Sequence, residues 1–358
     1  MAENDREIVG TRKVTAERRV VLLPDGAADE WGEVYGSLLR GLAKKGVWIG
    51  IVGGGSECYG GIEGVKRFDC PACDMPFFGK RNVGLLVEQL RQFGPQVIHC
   101  LSANRAKIGS LLSSGLSVPY VVNQNDIGGF VQKAKISLRR CDRIVVPCES
   151  IYESLSNEGD RVRVVKPGVE VSGAVSFEGR GRLSTILVYR DFERASDFQP
   201  LLSAARHLAL DGFEFILVLT GRGGAEHQIR EMVDELGLLQ IVTISPYPKP
   251  SFRVLSASDV FAVIQPEKRF NVILLEAMGR GVTAAGCLGG VDDLMREIPK
   301  EGIFDADDEL SIHRCLVDIL SRPTEARQRA TKMREFIRMN YSVEEMVAGY
   351  LRVYAEIV

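Results

Sequence analysis

Glu276 is the one carboxylate in an otherwise apolar run, Val272-Ile-Leu-Leu-Glu-Ala-Met278. A helix that is apolar on every side is wrapped by protein, and a carboxylate inside it is costly unless something hydrogen-bonds it. The loop Glu267-Lys-Arg-Phe-Asn271 runs straight into that helix. There the first backbone N–H groups and the positive end of the dipole favour an anion such as phosphate. An anion seat beside a buried carboxylate suggests a pocket for a nucleoside diphosphate. The plainer alternative is a core helix whose Glu276 meets a neighbouring arginine.

These residues need a frame, and the composition bounds it. At 358 residues the chain exceeds the usual size of one core, so two domains are expected. A hydrophobic content of 45% with 26% charged residues is that of an ordinary globular protein. The net charge of −2 gives no reason to expect nucleic-acid binding. No apolar run approaches the ~18 residues of a membrane span, and the start, Met1-Ala-Glu-Asn-Asp-Arg-Glu, is too polar for a secretory signal. A cytoplasmic location is expected. Peripheral contact with the inner face of a membrane stays open through a basic helix carrying Lys133, Lys135, Arg139, Arg140 and Arg143, although its short apolar face fits a solvated surface better. Of the eight cysteines, only Cys70-Pro-Ala-Cys73 has ligand spacing, and without a second pair or a nearby His no metal site is expected.

Strands and helices alternate along the chain. Strands are expected over 19–24, 47–52, 96–101, 119–122, 142–147 and 162–165, with helices between them. The Gly- and Ser-rich stretch 170–183 reads as a linker, after which the pattern restarts with strands at 184–189, 213–219, 241–244, 259–264 and 282–286. Apolar strands alternating with helices mean parallel sheets buried on both faces. Two such Rossmann-like, doubly wound domains would face each other across a central cleft, where ligands of open α/β sheets bind.

Read in order, the chain resembles the retaining family 4 glycosyltransferases of the GT-B fold from about residue 18 to 357. The most specific match is residues 259–290, which look like that family's strand, E-x-F-G loop, L-E-A-M helix and Gly-Gly turn. Gln96-Val-Ile-His-Cys100, Pro167-Gly-Val-Glu170, Leu219-Thr-Gly-Arg-Gly223, Ala257-Ser-Asp-Val-Phe261 and the closing Asn340-Tyr-Ser342 match further motifs. Residues 1–17 are polar and read as disordered, and with 171–183 as the linker the resemblance implies an acceptor-side domain 18–170. It further implies a nucleotide-sugar domain 184–340 and a helix 341–358 that crosses back onto the first domain.

It also implies roles. Arg190 matches an arginine that clamps the donor diphosphate. The companion lysine position falls on Ala195, with Arg194 as a stand-in of different geometry. The first Glu of the loop falls on Lys268, with Glu267 beside it but out of register. Phe270 is kept, and Asn271 replaces a Gly. Glu276 matches the Glu that holds the nucleotide ribose. Val272, with Phe270 and Asn271, supplies amides toward the phosphates, and Gly221 and Arg222 match a phosphate-side loop. On the acceptor side Val-His-Asp becomes Gln124-Asn125-Asp126. Retaining transfer needs charge stabilised on the departing diphosphate, and Arg190, Arg194 and Lys268 would do this without a metal or cofactor. The expected function is transfer from a nucleoside-diphosphate sugar to a glycan, lipid or small-molecule acceptor. Loss of the Lys, the first Glu and the His favours the alternative, a GT-B protein that no longer catalyses and serves as a binding or assembly subunit. His99 reads as a satisfied core histidine.

Overall fold

The computed structural model describes residues 18–25, 30–53, 62–69, 79–127, 140–171, 183–245 and 252–358. The expected disordered segment 1–17, most of the linker, Cys58, Cys70 and Cys73, and the basic helix residues Lys133, Lys135 and Arg139 lie outside them.

The first half runs β1 (Arg19–Leu23), α1 (Gly32–Lys44), β2 (Trp48–Val52), β3 (Val65–Phe68), α2 (Gly79–Phe93), β4 (Val97–Cys100), α3 (Ala106–Leu116), β5 (Tyr120–Asn123), β6 (Arg143–Val146), α4 (Glu149–Ser154) and β7 (Val162–Val164). The second half runs β8 (Ser184–Tyr189), α5 (Gln199–Leu210), β9 (Phe215–Thr220), α6 (Glu226–Glu235), β10 (Val242–Ser245), α7 (Phe252–Ala257), β11 (Val260–Val263), α8 (Val272–Gly279), β12 (Thr283–Gly286), α9 (Glu309–Ser321), α10 (Pro323–Asn340) and α11 (Val343–Ala355).

The strands form two parallel sheets, β3-β2-β1-β4-β5-β6-β7 and β10-β9-β8-β11-β12. Both have a doubly wound order, with the first strand central and the chain reversing direction across it. β4, β5, β11 and β12 are buried at every position, which is why they read as continuous apolar runs and not as alternations. β3 breaks that rule. Its Val65-Lys-Arg-Phe68 sequence is mostly exposed at the sheet edge, where charged residues discourage pairing with another chain. Nothing in its composition marks it as a strand, and the sequence places it in a loop.

α11 packs on α1, in the first half of the chain. Tyr350 and Tyr354 enter that domain and complete a buried polar network. Asn123 Oδ1 can only accept, so His99 Nε2–H donates a hydrogen bond to it at 2.9 Å. His99 Nδ1 therefore accepts from the Tyr354 hydroxyl at 2.6 Å. Asn123 Nδ2 donates to Tyr350 at 2.8 Å. Burial pushes the His99 pKa down from 6.5 to about 4, against the pull of the Asn123 hydrogen bond. His99 is fully buried with both ring nitrogens engaged, as a core histidine is.

Candidate active site

Because both sheets are parallel, the C-terminal ends of β8, β9, β11 and β12 share one edge, and the residues that follow them gather there. The loop after β11 is held from two sides. Val291 N–H donates to the Glu267 carbonyl at 2.7 Å, and Gly290, at φ +67°, lies so close that a Cβ there would strike that carbonyl. Only glycine suits this turn. From the first domain, Ile127 N–H donates to the Lys268 carbonyl at 2.7 Å, and Phe270 N–H donates to the Asn125 carbonyl at 2.9 Å. Asp126 and Arg269 form the antiparallel bridge between them. Backbone from each half of the chain is thus paired across the cleft.

Beneath this bridge Phe270 is buried, its ring 5.9 Å from Trp31 and 6.5 Å from Tyr341. Asn271 Oδ1 accepts from Leu274 N–H at 2.8 Å and caps α8. The cavity behind the loop, lined by Glu267, Phe270, Asn271, Leu274 and Asp292 among others, has a volume of about 10 Å³, room for about one water.

Charges of alternating sign run along the loop ends. Arg194 Nη2 is 3.0 Å from Asp197 Oδ1. Arg190 donates to Asp197 Oδ2 from Nη2 at 2.7 Å and from Nε at 3.1 Å. The other terminal nitrogen of Arg190 lies 3.9 Å from Glu267 Oε1. Glu267 Oε2 accepts from Arg269 Nε at 3.3 Å. Arg269 also reaches Asp191 at 3.4 Å and, in the first domain, Glu30 at 3.0 Å. Glu30 in turn accepts from the Tyr189 hydroxyl at 2.6 Å. Burial raises the Glu267 pKa above its ordinary value despite the opposing pull of Arg269 and Arg190. Burial alone would lower that of Arg269, but Glu30, Glu267 and Asp191 more than offset it.

Of the residues expected at the site, Arg190 and Arg194 stand together on Asp197, and Gly221 packs against the Arg190 carbonyl where a Cβ has no room. Lys268 and Arg222 are exposed, and their carbonyls accept from Ile127 and Phe192. Val272 is wholly buried. Asn125 Nδ2 donates to the Tyr35 hydroxyl at 3.0 Å, and Asp126 Oδ1 accepts from Gln124. Glu276 is buried in α8, its carboxylate 3.4 Å from Arg280 one turn on, whose side chain is 9% exposed. That is the arrangement the plainer alternative describes.

The sequence reasoning passed over Glu30, Asp191, Asp197 and Arg269 as site residues. Each is an ordinary charge in a loop, and only the fold brings them within reach of one another. Glu267 had a signal: the carboxylate turned inward is one residue before Lys268, because backbone pairing on both sides sets which side chain faces the cleft.

No family model matches the sequence, and no curated protein matches it. Solved structures do. A glycosyltransferase from Rickettsia africae superposes with a TM-score of 0.75 at 15% identity, covering 95% of this chain and 98% of its own. HepE of Anabaena in complex with UDP gives 0.72 at 13% identity, covering 95% and 100%. Sucrose-phosphate synthase from Thermosynechococcus elongatus gives 0.72 at 15%, covering 95% and 99%. The fold is GT-B. In GT-B terms, the loop ends after β8, β9, β11 and β12 are the cleft-facing edge of the second domain. Among the described residues no helix is long and apolar enough to cross a membrane, and no cluster of His, Cys, Asp and Glu is placed to hold a metal ion.

Proposed function

We propose that this chain is a glycosyltransferase that moves a sugar from a nucleoside-diphosphate sugar to an acceptor hydroxyl, with retention at the anomeric carbon as in family 4. The observation that carries the proposal is the gathering of Arg190, Arg194 and Arg269 at the cleft edge of the second sheet, beside the N-terminus of α8. Strand ends of this kind are where doubly wound sheets bind ligands. GT-B neighbours were solved with UDP and with UDP-glucose, which supports a nucleotide sugar as donor.

In the reaction the bond from the sugar's C1 to the diphosphate oxygen breaks as the acceptor oxygen bonds to C1, and the acceptor's proton passes to the departing diphosphate. The arginines act by meeting the charge that grows on that leaving group. Glu276 holds the ribose and shares its carboxylate with Arg280. The acceptor is a glycan, lipid or small molecule bound on the side of Asn125 and Asp126.

A second reading has its own observation. Arg190, Arg194 and Arg269 each already face a carboxylate, which suits a GT-B protein kept for binding or assembly. Thermal-shift measurements with UDP-, GDP- and ADP-sugars, followed by donor-hydrolysis assays, separate the two. A transferase shows a raised melting temperature and slow hydrolysis with one donor. Stabilisation without turnover supports the binding subunit, and no stabilisation at millimolar concentration refutes the donor site.

A further inference from the structure

The loop after β8 lacks a second cation in the place where the resembling enzymes carry lysine, yet the cleft holds one that comes from elsewhere. Arg269 reaches Glu267 from Nε and Arg190 reaches it from Nη1, so one carboxylate sits between two guanidinium groups. An anion held by two guanidinium groups is the arrangement a diphosphate requires.

The strengths of the contacts differ. Arg190 is gripped by Asp197 through two nitrogens at 2.7 and 3.1 Å. Arg269 meets its carboxylates at 3.0, 3.3 and 3.4 Å, one nitrogen to each. Charge-assisted N–H···O bonds are strongest at about 2.7–2.9 Å and when bidentate. Arg269 thus divides its nitrogens among three carboxylates, none of which holds it through two nitrogens as Asp197 holds Arg190. Its nearest partner, Glu30, belongs to the other domain and keeps a hydrogen bond to the Tyr189 hydroxyl at 2.6 Å. Glu30 can thus release the guanidinium without losing every partner.

The geometry points to Arg269 as the second cation of the diphosphate clamp, masked by Glu30 of the first domain until a nucleotide sugar displaces that carboxylate. This rests on the donor-site reading above. Glu30 becomes a filter: only a ligand that offers Arg269 better-placed oxygens than a single carboxylate gains the site. It also ties occupancy to the approach of the domains, since the masking residue and the masked one lie on opposite sides of the cleft.

Titration calorimetry of UDP, GDP and ADP against the full chain tests the assignment with wild type, Glu30→Gln, Arg269→Gln and the double variant. Glu30→Gln is expected to bind the preferred nucleotide about tenfold tighter, and Arg269→Gln about tenfold more weakly. Adding Glu30→Gln to Arg269→Gln should bring no gain, because the masking acts through that guanidinium. A salt bridge with only a structural role predicts the opposite sign for Glu30→Gln. Arg269→Lys, which keeps the charge, should retain part of the affinity, and circular dichroism confirms that each variant is folded. Equal or weaker binding by Glu30→Gln, or a gain that survives without Arg269, overturns the proposal. If Arg190→Gln weakens binding while Arg269→Gln does not, the donor site stands and the clamp assignment alone falls. If neither wild type nor Glu30→Gln binds any of the three nucleotides, both fall.

Discussion

Lowering the pH should weaken the packing that joins α11 to the first domain, and His99 sets by how much. Its pKa lies at about 4 in the folded chain against an ordinary 6.5, with burial as the main cause. Because the folded-state value is depressed, the neutral ring contributes stability that is complete above about pH 6.5. That contribution is lost as pH falls toward about 4, where the unfolded chain takes up a proton that the folded chain refuses. The slope is about 1.4 kcal/mol per pH unit, so about 2 kcal/mol should go between roughly pH 6.5 and pH 5, and about 3 kcal/mol by roughly pH 4. Urea unfolding followed by circular dichroism across this range measures it. Surface carboxylates titrate in the same window, so the quantity to compare is the difference between wild type and His99→Gln. Wild type should start more stable near neutral pH and converge on the variant as the pH falls. Parallel curves would refute the reasoning, as would an imidazole resonance of His99 that titrates near pH 6.5.

Two further outcomes follow from buried partners. Phe270→Ala removes a ring packed between Trp31 and Tyr341 and should destabilise by about 3–5 kcal/mol, read as a drop in the urea midpoint; a change under about 1 kcal/mol would show that this aromatic layer carries little. Glu276→Ala leaves Arg280 buried without its carboxylate, at about 3–5 kcal/mol, whereas Glu276→Leu combined with Arg280→Met should be far milder. If that double variant is folded and still binds nucleotide as wild type does, Glu276 has no part in holding the ribose.

The two sheets could be read from the sequence because strands buried on both faces announce themselves as apolar runs, as Val260–Val263 and Tyr120–Val122 do. The edge strand Val65–Phe68 could not, since its exposed Lys66 and Arg67 mimic a loop. At the site, Arg190 and Asn271 are reached through the family resemblance, and the capping of α8 by Asn271 emerges only from the structure. Glu30, Asp191 and Arg269 are not legible, because ion pairs between separate loops, one of them in the other domain, leave no periodicity in any of them. The resemblance puts the loop's first Glu at Lys268, a residue that reads equally as a solvent-facing charge and that the structure exposes. The turn of the backbone, fixed by Gly290 on one side and Asn125–Ile127 on the other, gave the inward place to Glu267.

The docking of α11 also governs the order in which the molecule can be assembled. His99 and Asn123 find their buried partners in tyrosines that lie 255 and 227 residues further along the chain. A ribosome delivers the first sheet long before those tyrosines exist, and until they arrive an imidazole and an amide stand in an open groove. The second domain also waits for its late helices, but over less of the chain: His207 meets Glu309 and His313 meets Asp211, each 102 residues apart. The half that is made first is therefore finished last, and any event that frees α11 takes from His99 and Asn123 the two tyrosine hydroxyls that complete them.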